Sequence, residues 1–153
     1  MVKSKRPQKS LRSDATGLIE HCAGVNSRLA ARRITQFLER ELAGTGLTVA
    51  QLGLMAHIAA ASDDTFAALA QRTGLDQSTL SRNLRALEAD GLVEIAIVES
   101  DLRRRAVWLT ETGSRRLEMA VPIWRAAHAK LSKRIDVGLA RRLSGESESL
   151  VAE

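Results

Sequence analysis

The side chains best suited to chemistry lie in the stretch LDQSTLSRNLRALEADGLV, from Leu75 to Val93. Apolar residues recur there at helical spacing, at Leu80, Leu84 and Leu87. The opposite face carries compact or forked hydrogen-bonding groups, namely Ser78, Ser81, Arg82 and Arg85, with Gln77 at its edge. Such side chains can meet base edges and phosphates when the N-terminal half of a helix lies in a DNA major groove. On this segment alone, a solvated amphipathic helix is an equal alternative.

Local signals on both sides define the elements that must position this face. Asp76 is a good N-cap for the helix, and Gly91 supplies the left-handed residue that closes it. A shorter helix is predicted before it, from Phe66 to Arg72, with Thr65 as its N-cap. Gly74 then makes the turn between the two helices. A short helix, a glycine turn and a second helix together predict a helix-turn-helix arrangement.

The residue pattern changes from helical to alternating after Gly91. Val93, Ile95 and Ile97 alternate with Glu94 and Ala96, which predicts a strand. Residues 99–105 (ESDLRRR) read as a charged connection, and residues 106–109 (AVWL) read as a second strand. This hairpin would form a wing whose tip carries Arg103, Arg104 and Arg105, a group suited to phosphates or a narrow minor groove. A solvated turn is the alternative, but beside such a helix we favour DNA contact.

Composition bounds the class of protein. A chain of 153 residues suits one domain, or one domain with a dimerisation extension. Aromatic residues make up only 3% of the chain, which favours packed helices with a core of Leu, Ala, Val and Ile. The net charge is +5, and the whole excess lies in five residues before the first acid, Asp14: Lys3, Lys5, Arg6, Lys9 and Arg12. Attraction of the remaining chain to phosphates must therefore depend on local arrangement.

Three features favour a cytoplasmic protein. Cys22 is the only cysteine, which excludes an internal disulfide and suits a reducing compartment. No apolar run is long enough to span a bilayer. The basic N-terminus lacks the apolar segment of a secretory signal. We therefore expect no membrane partner.

We expect a mainly α fold with a small β-hairpin wing, in which a winged helix-turn-helix lobe is joined to dimerisation helices from both chain ends. The expected segments are a disordered basic arm over residues 1–15, an N-terminal dimerisation helix over 16–47, a DNA-binding lobe over 48–110 and C-terminal dimerisation helices over 111–153. Thr48, Thr110 and Asp136 are the expected N-caps of the other helices, and Pro122 should kink or split the helix that contains it. A homodimer would bury the apolar surface of the long terminal helices. It would also place two reading helices about 34–36 Å apart, one turn of DNA.

In this order the motifs resemble the MarR family of bacterial transcriptional regulators, over about Leu18 to Leu131. The strongest part runs through the helix described above, the Asp101-Leu102-Arg103 triplet and the stretch VWLTETG at 107–113. The resemblance implies a homodimer that binds a palindromic operator in double-stranded DNA, usually as a repressor, and that responds to a small phenolic or aromatic effector. It places Ser78, Ser81, Arg82 and Arg85 on groove-facing positions, and Asp101 and Arg103 on the Asp-x-Arg of the wing. The chain departs from the pattern at Ile95, where many members have an arginine that braces the wing.

Two kinds of sensing remain open. Some members of the family sense oxidants through a cysteine in the first helix, near the position of Cys22, and that chemistry needs an accessible thiolate. However, Cys22 shares an apolar stripe with Leu18 and Val25, and the chain has no tyrosine, whereas peroxide-sensing relatives use tyrosines to hold the cysteine. We therefore favour a structural cysteine. The polar and aromatic groups that could line an effector cleft are His21, Asn26, Arg33, His57, Trp124 and His128.

Enzyme chemistry lacks the residue patterns that it needs. The Gly44 to Gly46 stretch (GTG) is too short for a phosphate-binding loop. The three histidines are scattered, without the spacing of a metal site, and no nucleophile, base and acid can be assembled from spacing. We expect no catalytic activity, metal or cofactor. The rival interpretation is a winged-helix dimer for protein–protein contact, with a basic wing that binds an acidic partner.

Overall fold

The computed structural model describes residues 9–61, 65–98 and 101–150. These residues contain seven α-helices and two β-strands. In chain order they are α1 Lys9–His21, α2 Ala23–Leu42, α3 Val49–Ala59, α4 Phe66–Thr73, α5 Gln77–Ala89, β1 Val93–Val98, β2 Asp101–Leu109, α6 Glu111–Ser132 and α7 Val137–Ser147. Short 3-10 turns follow α2 (Ala43–Thr45) and α7 (Glu148–Leu150). The chain divides into two units, residues 1–37 and 38–153. This mostly helical order with one antiparallel hairpin confirms the expected fold class.

The first unit contains α1 and most of α2, and the two helices are separated at Cys22. The expected disordered arm is wrong for residues 9–15, which are helical, and the single helix expected from residue 16 is divided. The Asn26 side-chain amide explains the break, since its nitrogen donates to the carbonyls of Ile19, Glu20 and Cys22 at 3.1, 3.2 and 3.0 Å. These bonds satisfy carbonyls near the end of α1 that a helix terminus leaves open. Residues 1–8 lie outside the described part of the chain.

The core of the second unit is organised around α5. Its leucine stripe, Leu80, Leu84 and Leu87, is fully buried. Met55 of α3, Leu69 of α4 and Val107 of β2 are buried in the same core. Since full burial of one such side chain contributes roughly 1.5–3 kcal/mol, the stripe fixes which face of α5 turns away from solvent.

The predicted N-caps and the predicted closure of α5 at Gly91 are confirmed. Thr48 caps α3 with a reciprocal capping box, in which the Thr48 hydroxyl accepts from the Gln51 amide and the Gln51 side chain accepts from the Thr48 amide. Thr65, Asp76, Thr110 and Asp136 cap the next four helices. Gly91 closes α5 at a φ of 69°, and the Leu92 amide donates to the Leu87 carbonyl, as in a Schellman motif.

Helix α6 runs without interruption from Glu111 to Ser132, so the expectation that Pro122 splits it is wrong. Proline removes one amide donor, and the carbonyl that loses its partner belongs to Glu118, four residues earlier. Glu118 and Pro122 are both exposed, so water can satisfy that carbonyl.

The hairpin formed by β1 and β2 pairs Val93 with Leu109 and Ile95 with Val107. Strand β2 begins at Asp101, so the expected charged connection over residues 99–105 is wrong from residue 101 onward. Val98 pairs with Asp101 after an irregularity in the strand register between Ile97 and Val98, and this pairing extends the β-ladder into the charged segment. Hairpins favour such short connections between their strands. Ala106 also forms a bridge with Thr65, which ties the hairpin to the start of α4.

A close joint connects the end of α5 to the start of α6. The Thr110 amide donates to the Leu92 carbonyl at 3.1 Å, and the Thr110 hydroxyl donates to the Gly91 carbonyl at 2.6 Å. The same hydroxyl accepts from the Gly113 amide at 2.9 Å. A Cβ at Gly113 would lie 1.9 Å from the Leu92 carbonyl oxygen, so only glycine permits this approach.

No single helix in the described ranges is long and apolar enough to cross a membrane. The segments Ala23–Thr45 and Val49–Ala59 meet that criterion only when taken together, by length and composition alone.

Candidate nucleic-acid interface

The outward face of α5 carries the five helix residues that the sequence singled out. Gln77, Ser78, Arg82 and Arg85 are exposed, and Ser81 is half-buried. The buried leucines on the opposite side of the same helix hold this face outward. The structure therefore presents two guanidinium groups, two hydroxyls and one amide along a single helix surface.

The N-terminus of α5 is held by a hydrogen-bond network on the Asp76 carboxylate. Its Oδ1 accepts from the Ser78 hydroxyl at 2.6 Å and from the Thr79 amide at 2.8 Å. Its Oδ2 accepts from the Thr79 hydroxyl at 2.8 Å. The bond from the Ser78 hydroxyl, with the two from Thr79, holds the pKa of the Asp76 carboxyl well below its ordinary value. Asp76 is therefore a charged cap, and the Ser78 hydroxyl is engaged with it.

Arg82 and Arg85 keep their donors available. Neither forms an ion pair with a carboxylate anywhere in the described residues. Arg85 also lines a shallow groove of about 220 Å³ between α5 and the wing, whose other lining residues are Glu88, Ile95, Ala96, Ile97 and Arg105. This groove joins the helix face to the hairpin.

The wing residues of the predicted site lie on β2. Asp101, Arg103 and Arg104 belong to this strand, but their side chains lie outside what the structure describes. Arg105 is exposed and faces the groove beside Arg85. Its pairing with Ile97 across the hairpin fixes its position. The sequence analysis grouped Arg105 with the wing tip, whereas the groove that Arg105 lines with Arg85 shows that it adjoins α5.

Three of the candidate sensing residues lie at the break between α1 and α2. The His21 Nδ1 donates to the Gly17 carbonyl at 2.9 Å, and Asn26 is engaged with the carbonyls of the break. Cys22 is half-buried and is a free thiol. Arg33 is exposed on α2. Asn26 thus has a structural role that the sequence alone did not indicate.

The other candidates lie in the second unit. His57 is exposed in the last turn of α3. On α6, the rings of Trp124 and His128 have centroids 4.5 Å apart, and the His128 Nδ1 donates to the Trp124 carbonyl at 3.2 Å. These two side chains therefore contact each other.

A larger groove, of about 500 Å³, lies between the turn after α2 and the helix α6. Its lining residues are Gly44, Thr45, Gly46, Arg116, Met119, Ala120 and Ile123, none of which the sequence had singled out as an effector contact. The Arg116 guanidinium donates to the Thr45 carbonyl at 3.3 Å and pairs with no carboxylate in the described residues. Because this contact joins residues 71 positions apart, no local sequence signal could have indicated it.

Two capped helices joined by a glycine turn, an antiparallel hairpin after the second helix and an outward Ser/Arg face define a winged helix-turn-helix protein. Residues 45–105 match the family model described as the MarR family. The chain belongs to this family of transcriptional regulators, and its relatives are regulators and not enzymes.

Individual relatives support the assignment. The transcriptional regulator HosA of Escherichia coli O111:H- is 34% identical over 104 residues, which are 68% of this chain and 71% of HosA. The M. tuberculosis transcriptional regulator MosR, solved in complex with DNA, is 32% identical with a TM-score of 0.78, over 86% of this chain and 98% of MosR. A mutant MarR from E. coli complexed with operator DNA shares the fold, with a TM-score of 0.73 at 22% identity, over 88% of this chain and 97% of that one.

Proposed function

We propose that this regulator represses transcription by binding a palindromic operator in double-stranded DNA as a cytoplasmic homodimer. Each protomer places α5 in a major groove and its wing against the adjacent backbone or minor groove. A small phenolic or aromatic effector releases the dimer from the operator. The observation that carries this proposal is the outward face of α5, where Arg82 and Arg85 are exposed and unpaired among the described side chains.

Base reading is assigned to the α5 face because its groups match what the major groove displays. An arginine fork can donate to the O6 and N7 of guanine, and Gln and Ser can pair with other base edges. Gln77, Ser78 and Ser81 lie toward the N-terminal half of the helix, the part that contacts bases in this class of fold. Arg82 and Arg85 follow on the same side, within reach of bases or phosphates.

The wing is assigned to the DNA backbone or minor groove. Arg103 and Arg104 belong to β2, the strand that continues into the exposed Arg105. Since the net charge beyond the N-terminal basic residues is balanced, this local concentration of arginine supplies the attraction to phosphates.

Dimerisation is inferred from apolar side chains that each unit leaves uncovered. In the first unit, Leu18 and Ile19 of α1 are both about 60% exposed. In the second, Met119 of α6 and Leu139 of α7 are exposed to a similar extent. Helix α7 has no buried residue at all. Large apolar side chains that a monomer leaves exposed favour an interface, and a second copy of the chain would bury them with two-fold symmetry.

Effector binding is supported by the groove between the turn after α2 and α6. Its volume lies within the usual range for small-molecule sites, and its wall is largely apolar, with the Arg116 guanidinium as its charged group. An effector that prefers a DNA-incompatible dimer must weaken DNA binding by the same factor by which DNA weakens effector binding.

Two arginine substitutions test the proposed division between base reading and backbone contact. The measurement is fluorescence anisotropy on duplex DNA from upstream of the chain's own gene, compared with random duplex, over a range of salt concentrations. Arg82→Ala is expected to weaken operator binding by about 1–3 kcal/mol and random binding less. Arg104→Ala is expected to weaken both alike and to reduce the salt slope by about 1.

Arg115→Ala is the matched control, because Arg115 is exposed on α6 and already paired with Glu111. It is expected to leave both affinities unchanged. Equal losses on operator and random DNA for Arg82→Ala would contradict its base-reading role. A wild-type chain that binds no duplex but captures an acidic protein would favour the protein-interaction alternative instead.

A further inference from the structure

We infer that Ser78 selects an operator base that presents an amino group in the major groove, which means adenine or cytosine and not guanine or thymine. The inference rests on the proposed function, because it requires α5 to lie in the major groove. It adds the chemical identity of one base to that proposal.

The direction of the bond between Ser78 and Asp76 carries the inference. The Ser78 Oγ lies 2.6 Å from the Asp76 Oδ1. An ionised carboxylate can only accept hydrogen bonds, so the Ser78 hydroxyl must be the donor. The depressed pKa of Asp76 keeps this carboxylate ionised at neutral pH. A hydroxyl has one hydrogen, which leaves Ser78 with only lone pairs to offer a ligand.

The remaining lone pairs of Ser78 restrict what it can recognise. In the major groove, adenine N6 and cytosine N4 are the amino donors, whereas guanine presents the acceptors O6 and N7, and thymine presents the acceptor O4 and a methyl group. Phosphate oxygens also only accept. A bond to guanine, thymine or phosphate would require Ser78 to release Asp76. A hydrogen bond to a charged group is roughly twice as strong as a neutral one, so the exchange for guanine or thymine is unfavourable. The exchange for phosphate only replaces one charged acceptor by another.

The hydroxyls of Ser81 and Thr79 differ from that of Ser78, because the Ser81 hydroxyl can still donate and Thr79 is half-buried. Ser81 makes no side-chain hydrogen bond within the described part of the chain, so its hydroxyl can either donate or accept. The Thr79 hydroxyl donates to the other carboxylate oxygen, but Thr79 is half-buried. Ser78 alone among these three is both exposed and held as an acceptor.

The test is a base-by-base scan of one operator half-site, in which the affinity for each of the four bases is measured at every position. For wild type we expect one position at which adenine or cytosine binds about fivefold tighter than guanine or thymine, the effect of one neutral hydrogen bond. Ser78→Ala should abolish the preference at that position only.

Asp76→Ser is the decisive variant. Serine caps a helix about as well as aspartate, so α5 is preserved, but the Ser78 hydroxyl is no longer held by a carboxylate. We expect the preference at the Ser78 position to shrink toward equality, while the ratios at other positions stay unchanged. Thr79→Val serves as the matched control and should keep the preference. Melting temperatures measured without DNA report whether each variant is folded.

Two results would overturn the inference while leaving the proposed function intact. One is a Ser78-dependent position that favours guanine or thymine, and the other is a set of base ratios that Ser78→Ala leaves unchanged at every position, with or without a uniform loss of affinity. Failure of the wild-type chain to bind duplex DNA would contradict the proposed function itself.

Discussion

The joint between α5 and α6 predicts that Gly113→Ala destabilises the protein, although alanine is the better helix former. Gly113 lies in the first turn of α6, where its Cα packs against the backbone of Leu92. A methyl group there would lie 1.9 Å from the Leu92 carbonyl oxygen and 2.8 Å from the carbonyl carbon. Cβ atoms essentially never approach within 3.0 Å of other heavy atoms, so the start of α6 must move away by about 1 Å or more.

The cost follows from what that movement disrupts. Overpacking in a close-packed region costs about 1–3 kcal/mol. The displacement also weakens the two hydrogen bonds that Thr110 donates to the Gly91 and Leu92 carbonyls, each of which contributes about 1 kcal/mol. Helix propensity acts in the opposite sense, by up to about 1 kcal/mol. The expected net loss is about 2–4 kcal/mol, a large part of the stability of an ordinary domain.

Urea unfolding monitored by circular dichroism, at one fixed protein concentration, measures this loss. Gly53→Ala is the matched control, because Gly53 lies exposed within α3 and a Cβ there would meet nothing within 4 Å. That variant should gain up to about 1 kcal/mol from helix propensity. If Gly113→Ala were as stable as wild type, or gained as much as Gly53→Ala, the close contact with Leu92 would be refuted.

Three further predictions address the core, the cap and the cysteine. Leu84→Ala should lower the free energy of unfolding by about 3 kcal/mol, because Leu84 is fully buried beneath the α5 face, and equilibrium denaturation that shows a loss below 1 kcal/mol would contradict that burial. Because the folded-state pKa of Asp76 is depressed, its contribution to stability should be present above the ordinary carboxyl pKa of 3.8 and be lost as the pH falls below that value. The stability difference between wild type and Asp76→Ala should accordingly shrink on acidification, and a difference that grows would contradict the charged cap. Peroxide should leave operator affinity unchanged in wild type and in Cys22→Ser alike, whereas a loss confined to wild type would establish an oxidant sensor.

The elements around α5 could be predicted because each depends on local chemistry. The leucine period, the Asp76 cap and the left-handed Gly91 all act within one helix, and the structure confirms each of them. The alternation that begins at Val93 indicated β1 for the same reason. The placement of Ser78, Arg82 and Arg85 on one outward face follows directly from the helical period.

The features that sequence reasoning missed depend on side-chain or backbone contacts that a pattern does not encode. The apolar stripe through Leu18 and Val25 continues across Cys22, and it concealed a break that the Asn26 amide stabilises. The charged residues of the wing tip suggested a loop, whereas backbone pairing carries β2 to Asp101. The groove at Arg116 depends on a contact with Thr45 across 71 residues.

The proposal that two copies of the chain present a pair of α5 helices to one duplex is tested most directly by hydroxyl-radical footprinting of the complex, with its stoichiometry measured by light scattering. The expected result is two protected patches whose centres are about one helical turn, 10–10.5 base pairs, apart, with two chains bound per operator. A single protected patch with one bound chain, or a duplex protected uniformly without a repeat, would contradict the proposal.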